Sequence, residues 1–187
     1  MNQNLSWLRK YPPSVAWDAA LTPMPVGQMF DDAAARFGAQ RCLDFLDKHY
    51  TYAEVAVLVA RAAKGLQQLG VGKGVKVGLF LPNTPYYVIM YFAVLKTGGT
   101  VVNYNPLYSL DELQHQIRDS GTEMLITLDL KLLFSKVEHL IQSGALQRAV
   151  VASFTAMLPT VKAALYKMTR GREIANWRAS VIADRLI

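Results

Sequence analysis

Apolar and polar positions along this chain follow two alternating rhythms. Short aliphatic runs are followed by stretches in which apolar residues return every three or four positions. Val75–Leu81 (VKVGLFL) lies between Gly74 and Pro82, and its near-continuous apolarity predicts a buried parallel strand. Pro85–Lys96 follows and is apolar nearly all round, which predicts a core helix. Thr84 is placed to cap it, Pro85 suits its first turn, and Lys96 with Gly98 or Gly99 closes it. Thr100-Val101-Val102 begins a second strand. Ser109-Leu110-Asp111-Glu112 is a capping box that opens a helix over Leu110–Asp119, with Leu113 and Ile117 inward and Gly121 as its stop. Glu123–Thr127 reads as a strand. Leu130–Ile141 reads as a helix with Leu132, Leu133, Val137, Leu140 and Ile141 buried, and Gly144 ends it. Arg148–Ala152 is the last strand. Strands alternating with helices imply a parallel sheet of about four strands with right-handed crossovers.

Upstream the pattern changes. Residues 1–25 carry Pro12, Pro13, Pro23 and Pro25 and read as an extended arm anchored by Trp7, Tyr11 and Trp17. Val26–Phe37 is helical, with Val26, Met29, Phe30, Ala33, Ala34 and Phe37 on one side and Gly38 as its stop. Cys42–Asp47 alternates with period two. Lys48-His49 is the expected turn, and Tyr50-Thr51-Tyr52 completes a small β-hairpin. Thr51-Tyr52-Ala53-Glu54 is a second capping box. The helix it opens runs to Leu69, with an inner stripe of Val55, Leu58, Val59, Ala62, Ala63, Leu66 and Leu69. The expected class is therefore α/β: a parallel sheet with flanking helices and a small N-terminal β-hairpin. Three regions follow: the arm (1–25), an α/β body (26–155) and a basic amphipathic segment (156–187).

Composition adds constraints. The chain has 187 residues, 52% hydrophobic and 18% charged, enough for one domain with a sizeable core. Cys42 is the one cysteine, so no intrachain disulfide forms, and a reducing cytoplasmic setting is expected. The N-terminus lacks the basic and apolar segments of a secretory signal. Gly78–Leu95 contains no charge, but Pro82 and Pro85 in its middle would leave unpaired backbone in lipid, so a membrane span is rejected. The net charge is +6. From Met157 onward six Lys and Arg residues face only Glu173 and Asp184, so the tail holds most of the excess. Such a tail suits an acidic surface.

Within that tail, Val161, Ala164, Leu165 and Met168, with Met157 and Leu158, share one face of a helix over Ala156–Arg170. Lys162, Tyr166, Lys167 and Arg170 share the other. Together with Arg172 they are the candidate contacts to an anionic membrane, where a basic amphipathic helix can lie. The alternative is a surface helix whose apolar face packs on a further part of the protein. The expected location is cytoplasmic, with peripheral contact to the inner face of the membrane; nucleic acid is not an expected partner.

Recognisable catalytic chemistry is missing. Gly70-Val71-Gly72-Lys73-Gly74 precedes a strand, whereas a phosphate-binding loop joins strand to helix. His49, His115 and His139 lack partners at metal-ligand spacing. No Gly-x-Ser-x-Gly elbow occurs. Catalytic, cofactor-binding and metal residues are therefore all read as none.

Taken as a set, several segments resemble the N-terminal part of the AMP-forming acyl-CoA synthetases. They are Thr51–Glu54, Leu81-Pro82-Asn83, Lys96-Thr97-Gly98-Gly99, Val101–Tyr108, Glu112-Leu113 and Asp119-Ser120. Tyr104-Asn105-Pro106-Leu107-Tyr108 and the basic stretch Lys162–Arg172 are most similar to the bacterial long-chain fatty acid–CoA ligases. The resemblance spans Pro25 to Arg172. Val75 departs from it, since an acidic residue is usual there. It implies ATP, Mg²⁺ and CoA as cofactors of the full-length enzyme, a long-chain fatty acid as substrate, and an acyl-adenylate as intermediate. Adenylation gives a poor electrophile a good leaving group while cations neutralise the phosphates. The family's Thr/Ser/Gly loop ending in Lys is not in this sequence. The chain is thus expected to be the front part of a longer ligase, to bind none of these cofactors alone and to be inactive alone. A place near the fatty acid for Tyr104 or Tyr108 is weighed against ordinary packing, which is favoured. An unpaired sheet edge would favour homodimers. Two rival classes remain: a flavodoxin-like nucleotide domain, and a non-catalytic module docking through its basic tail.

Overall fold

The computed structural model describes residues 6–186. Four parallel strands form one sheet in the order β4-β3-β5-β6: β3 (Lys76–Leu79), β4 (Thr100–Asn103), β5 (Met124–Leu128) and β6 (Arg148–Ala152). An antiparallel hairpin, β1 (Arg41–Phe45) and β2 (Lys48–Thr51), precedes it. The α/β class and the parallel sheet expected from the sequence are both present. α3 (Pro85–Lys96) packs with α1 (Val26–Phe37) and α2 (Tyr52–Gln68), on one face of the sheet by the right-handed rule for parallel crossovers. The other face carries α4 (Leu110–Ser120) and α5 (Lys131–Gln142).

α3 is apolar all round because it is covered from two sides. The sheet lies beneath it and α1 and α2 lie over it. Phe30 of α1 stacks on Phe92 of α3 with centroids 4.5 Å apart, and Lys96 at its C-terminus pairs with Asp31 of α1 at 2.6 Å. Pro85 starts the helix and Thr84 is its N-cap, but the Thr84 hydroxyl makes no capping bond. Both capping boxes form: Thr51 with Glu54 opens α2, and Ser109 with Glu112 opens α4.

Gly78 in β3 has no room for a side chain. A Cβ there would collide with Leu125 of β5 and come within 2.6 Å of the Tyr104 ring. Tyr104 lies over this gap, its hydroxyl 2.7 Å from Thr122 Oγ1 and 3.1 Å from Ser120 Oγ. Burial, the largest influence, raises its pKa against the effect of those hydroxyls. Tyr104 is thus a packed core residue. Tyr108 sits half-buried at the turn before α4, where its carbonyl accepts a hydrogen bond from Lys136 at 2.6 Å.

Four expectations need correction. The hairpin turn is Leu46-Asp47, both with positive φ (51° and 70°), and not Lys48-His49, which begins β2. Two consecutive left-handed residues match the strand twist of a tight hairpin. Leu132, expected to be buried, is 68% exposed, because α5 turns Leu133, Phe134, Val137, Leu140 and Ile141 to the sheet. Val26 and Met29 are exposed at the start of α1, where Phe30 alone is fully buried. Met157 and Leu158 do not share the face of the last helix; they are buried at a preceding 3-10 turn, Phe154–Met157.

In the arm, Ser6–Lys10 forms a 3-10 turn. Trp7 packs against Tyr11 and Trp17, at 5.9 and 5.4 Å between centroids. All three stay exposed. At the other end, the chain after residue 170 returns to the body: Ala175, Ile182 and Leu186 join the main core, and Leu186 bridges Ala149 of β6.

Candidate functional site

The basic amphipathic segment forms α6 (Thr160–Arg170). Pro159 lies just before it and Gly171 just after, a Pro-to-Gly frame that suits a short helix. The helix has no fully buried residue. Its polar side faces the body. Lys162 Nζ reaches back to the hairpin turn, pairing with the Asp47 carboxylate and donating to the Leu46 carbonyl at 3.0 Å. That ammonium holds the Asp47 carboxyl below its ordinary value. The Tyr166 ring packs on Phe154 at 5.1 Å and its hydroxyl donates to Glu173 at 2.8 Å. Burial first, and then this acceptor, pushes the Tyr166 pKa up to about 12.

The apolar side is largely exposed. Val161, Leu165 and Met168 are 79%, 58% and 85% exposed. Leu165 and Arg170 line a groove with Leu46, Phe154 and Leu158, Arg172 lies by Leu130 and Leu132, and Lys167 is exposed; Arg170 is 3.6 Å from Glu173. Of the five candidate contacts, Lys162 and Tyr166 therefore serve to hold α6 in place. Lys167, Arg170 and Arg172 remain exposed, and Val161 and Met168 are left uncovered.

One positioning residue escaped the sequence reading. Asp129, just past β5, is 5% exposed and accepts the Phe154 N–H at 2.7 Å. Its backbone carbonyl accepts from Ala175 at 2.7 Å. It therefore fixes both the 3-10 turn leading into α6 and the segment returning from it. The one hint was a carboxylate at the end of a mostly apolar strand, a place where a charge persists only if it is bonded.

The connection from β3 to α3 sits where the sheet's outgoing chains diverge to opposite faces, the usual ligand crevice of open α/β sheets. Here Pro82 and Pro85 remove backbone amides, and the Thr84 hydroxyl is buried without a partner. That connection therefore offers few free amides to a phosphate. Among the described residues no group of three or more His, Cys, Asp and Glu could hold a metal ion. No described helix is long and apolar enough to cross a membrane.

A protein family described as AMP-binding enzyme matches residues 30–175; the chain belongs to this family. Among its relatives, a long-chain-fatty-acid–CoA ligase of Bacillus subtilis (strain 168) is 33% identical over 174 residues, covering 93% of this chain and 31% of that protein. One from Yersinia pestis is 35% identical over 146 residues, covering 72% of this chain and 26% of that protein. The chain thus spans less than a third of the length of these relatives. A solved long-chain-fatty-acid–CoA ligase from Archaeoglobus fulgidus superposes with a TM-score of 0.65 at 23% identity, over 74% of this chain and 29% of that one, and shares the fold. The Klebsiella oxytoca NpsA N-terminal subdomain, solved in complex with anthranilyl-AMSN, superposes with a TM-score of 0.54 at 26% identity, over 55% of this chain and 27% of that one.

Proposed function

We propose that this chain supplies the N-terminal portion of a long-chain fatty acid–CoA ligase, which joins a fatty acid to CoA with conversion of ATP to AMP and pyrophosphate. The observation that carries this reading is the 33% identity sustained over 93% of the chain to a ligase of that name. In such an enzyme the four-stranded sheet is scaffold. ATP, Mg²⁺ and CoA belong to the full-length enzyme. Among the described residues Pro82 and Pro85 leave few free amides for a triphosphate at the β3–α3 connection, so no catalytic step is assigned to them. Incubated alone with ATP, Mg²⁺ and palmitate, the purified 187-residue chain is expected to release no pyrophosphate above background. Sustained release dependent on palmitate would overturn this division of labour.

A second reading concerns where the protein sits, and the orientation of α6 favours it. Val161 and Met168 are largely exposed on α6, and Lys167, Arg170 and Arg172 are exposed in the same segment. This combination suits the interface of an anionic bilayer on the cytoplasmic side. Co-sedimentation with vesicles containing phosphatidylglycerol should exceed that with neutral vesicles, and added salt should weaken it. Equal binding to both would sink this reading. The outer edge of β4 offers pairing to a second copy; light scattering should then show dimers that increase with concentration.

A further inference from the structure

Two lysines running in opposite directions bind the hairpin turn to the segment that carries α6. Lys162 of α6 pairs with the Asp47 carboxylate and donates to the Leu46 carbonyl at 3.0 Å. Lys48, the next residue of the hairpin, donates at 3.0 Å to the carbonyl of Ala156, in the 3-10 turn ahead of α6. The turn between them is strained. Leu46 and Asp47 both take left-handed backbone, with φ of 51° and 70°. Aspartate tolerates that conformation, whereas leucine adopts it where its surroundings impose it. Leu46 is 52% exposed, so burial does not impose it. The strand pair Phe45–Lys48 closes the turn from within, and Lys162 clamps it from outside.

α6 itself is fixed at both ends and loose between them. Ahead of it the Asp129 carboxylate holds the Phe154 amide, and behind it the Asp129 carbonyl holds the Ala175 amide. Between these anchors α6 has no fully buried residue, and Lys162 and the Tyr166 ring on Phe154 secure it to the body. The ion pair is open to solvent, with 45% of the Lys162 side chain and 81% of the Asp47 side chain exposed, so dissolved ions screen it. We propose that α6 is a strap latched by charge to the hairpin turn. Unlatching it lets Leu46-Asp47 relax and opens the groove that α6 forms with Leu46, Phe154 and Leu158. Once free, its eleven residues are too few to stay helical alone, so its amides exchange with solvent whenever the strap is open. The latch needs neither turnover nor a membrane, and it stands apart from both readings above.

Hydrogen exchange of the full 187-residue chain, read on peptides from α6, the hairpin and β5, tests the proposal. Raising NaCl from about 0.1 M to about 1 M shortens the screening length from about 10 Å to about 3 Å. α6 and the hairpin turn should then exchange about two- to fivefold faster, with β5 unchanged. Lys162→Met should produce the same gain at low salt, and salt should add nothing to it. In a Leu46→Gly background the left-handed turn is unforced; there Lys162→Met should speed α6 and leave the hairpin as it was. Four results would each overturn the latch. They are unchanged α6 exchange in Lys162→Met, faster α6 exchange in that variant with an unaltered hairpin, a salt response that survives the substitution, and equal acceleration of β5 by salt.

Discussion

β5 and α6 are both short and rich in apolar residues, yet they direct those residues in opposite ways. All five residues of β5 are buried, because β3 and β6 flank it and helices cover both faces of the sheet. None of the eleven residues of α6 is buried. It is held through Lys162, which reaches the hairpin turn, and the Tyr166 ring, which packs on Phe154. Apolar packing decides where β5 lies. In α6 the Lys162 tether and the Tyr166–Phe154 contact decide, and Val161 and Met168 are left uncovered. Substitutions in β5 should therefore act on stability, and those on the outer side of α6 on partners.

The comparison is most severely tested at Gly78. A side chain there must displace Leu125 and Tyr104 at once, so Gly78→Val should destabilise by about 3 kcal/mol or more, read as a shift of the urea midpoint. An unchanged midpoint would mean the sheet is looser than the packing implies. Next comes Asp129→Ala, which strands the Phe154 amide and should cost about 1–3 kcal/mol. It should also hasten proteolytic cleavage around α6 while sparing β5. The capping carboxylates give a smaller, pH-dependent effect. Hydrogen bonds from Thr51, backbone first, hold the Glu54 pKa below its ordinary value, and Ser109 does the same for Glu112. A depressed pKa contributes stability that is present above the ordinary carboxylate range and is lost as pH falls through the folded value. Glu54→Gln should flatten part of that acid-side decline in a thermal melt series; an unaltered slope would deny the capping box its role. Smallest for stability is Met168→Glu, expected to stay within about 0.5 kcal/mol. It should nevertheless reduce recovery on anionic vesicles several-fold. A large loss of stability would show that this stripe is covered after all.

Much of the sheet was legible because its punctuation is local. Pro85 and the Thr97-Gly98-Gly99 stop bracket α3, and both capping boxes announce their helices in four residues. The hairpin turn was missed because Leu46 and Asp47 take left-handed backbone without glycine or asparagine, the usual signal. Leu132 was misplaced because the apolar period in α5 is wider than its buried stripe. The orientation of α6 was illegible for a different reason. Amphipathicity divides a helix into two sides but does not say which one meets the body. That choice rests on Lys162 reaching a turn 115 residues earlier and on Asp129 seating Phe154, and neither pairing leaves a mark in the local pattern.

The span of that Lys162 contact also bears on the order of folding. The hairpin closes between near neighbours and can form at once. Its meeting with α6 needs β3, β5 and β6 already assembled, since only then are Asp47 and Asp129 brought to the same neighbourhood. α6 should thus be the last element to dock during folding and the first to detach when the native state breathes.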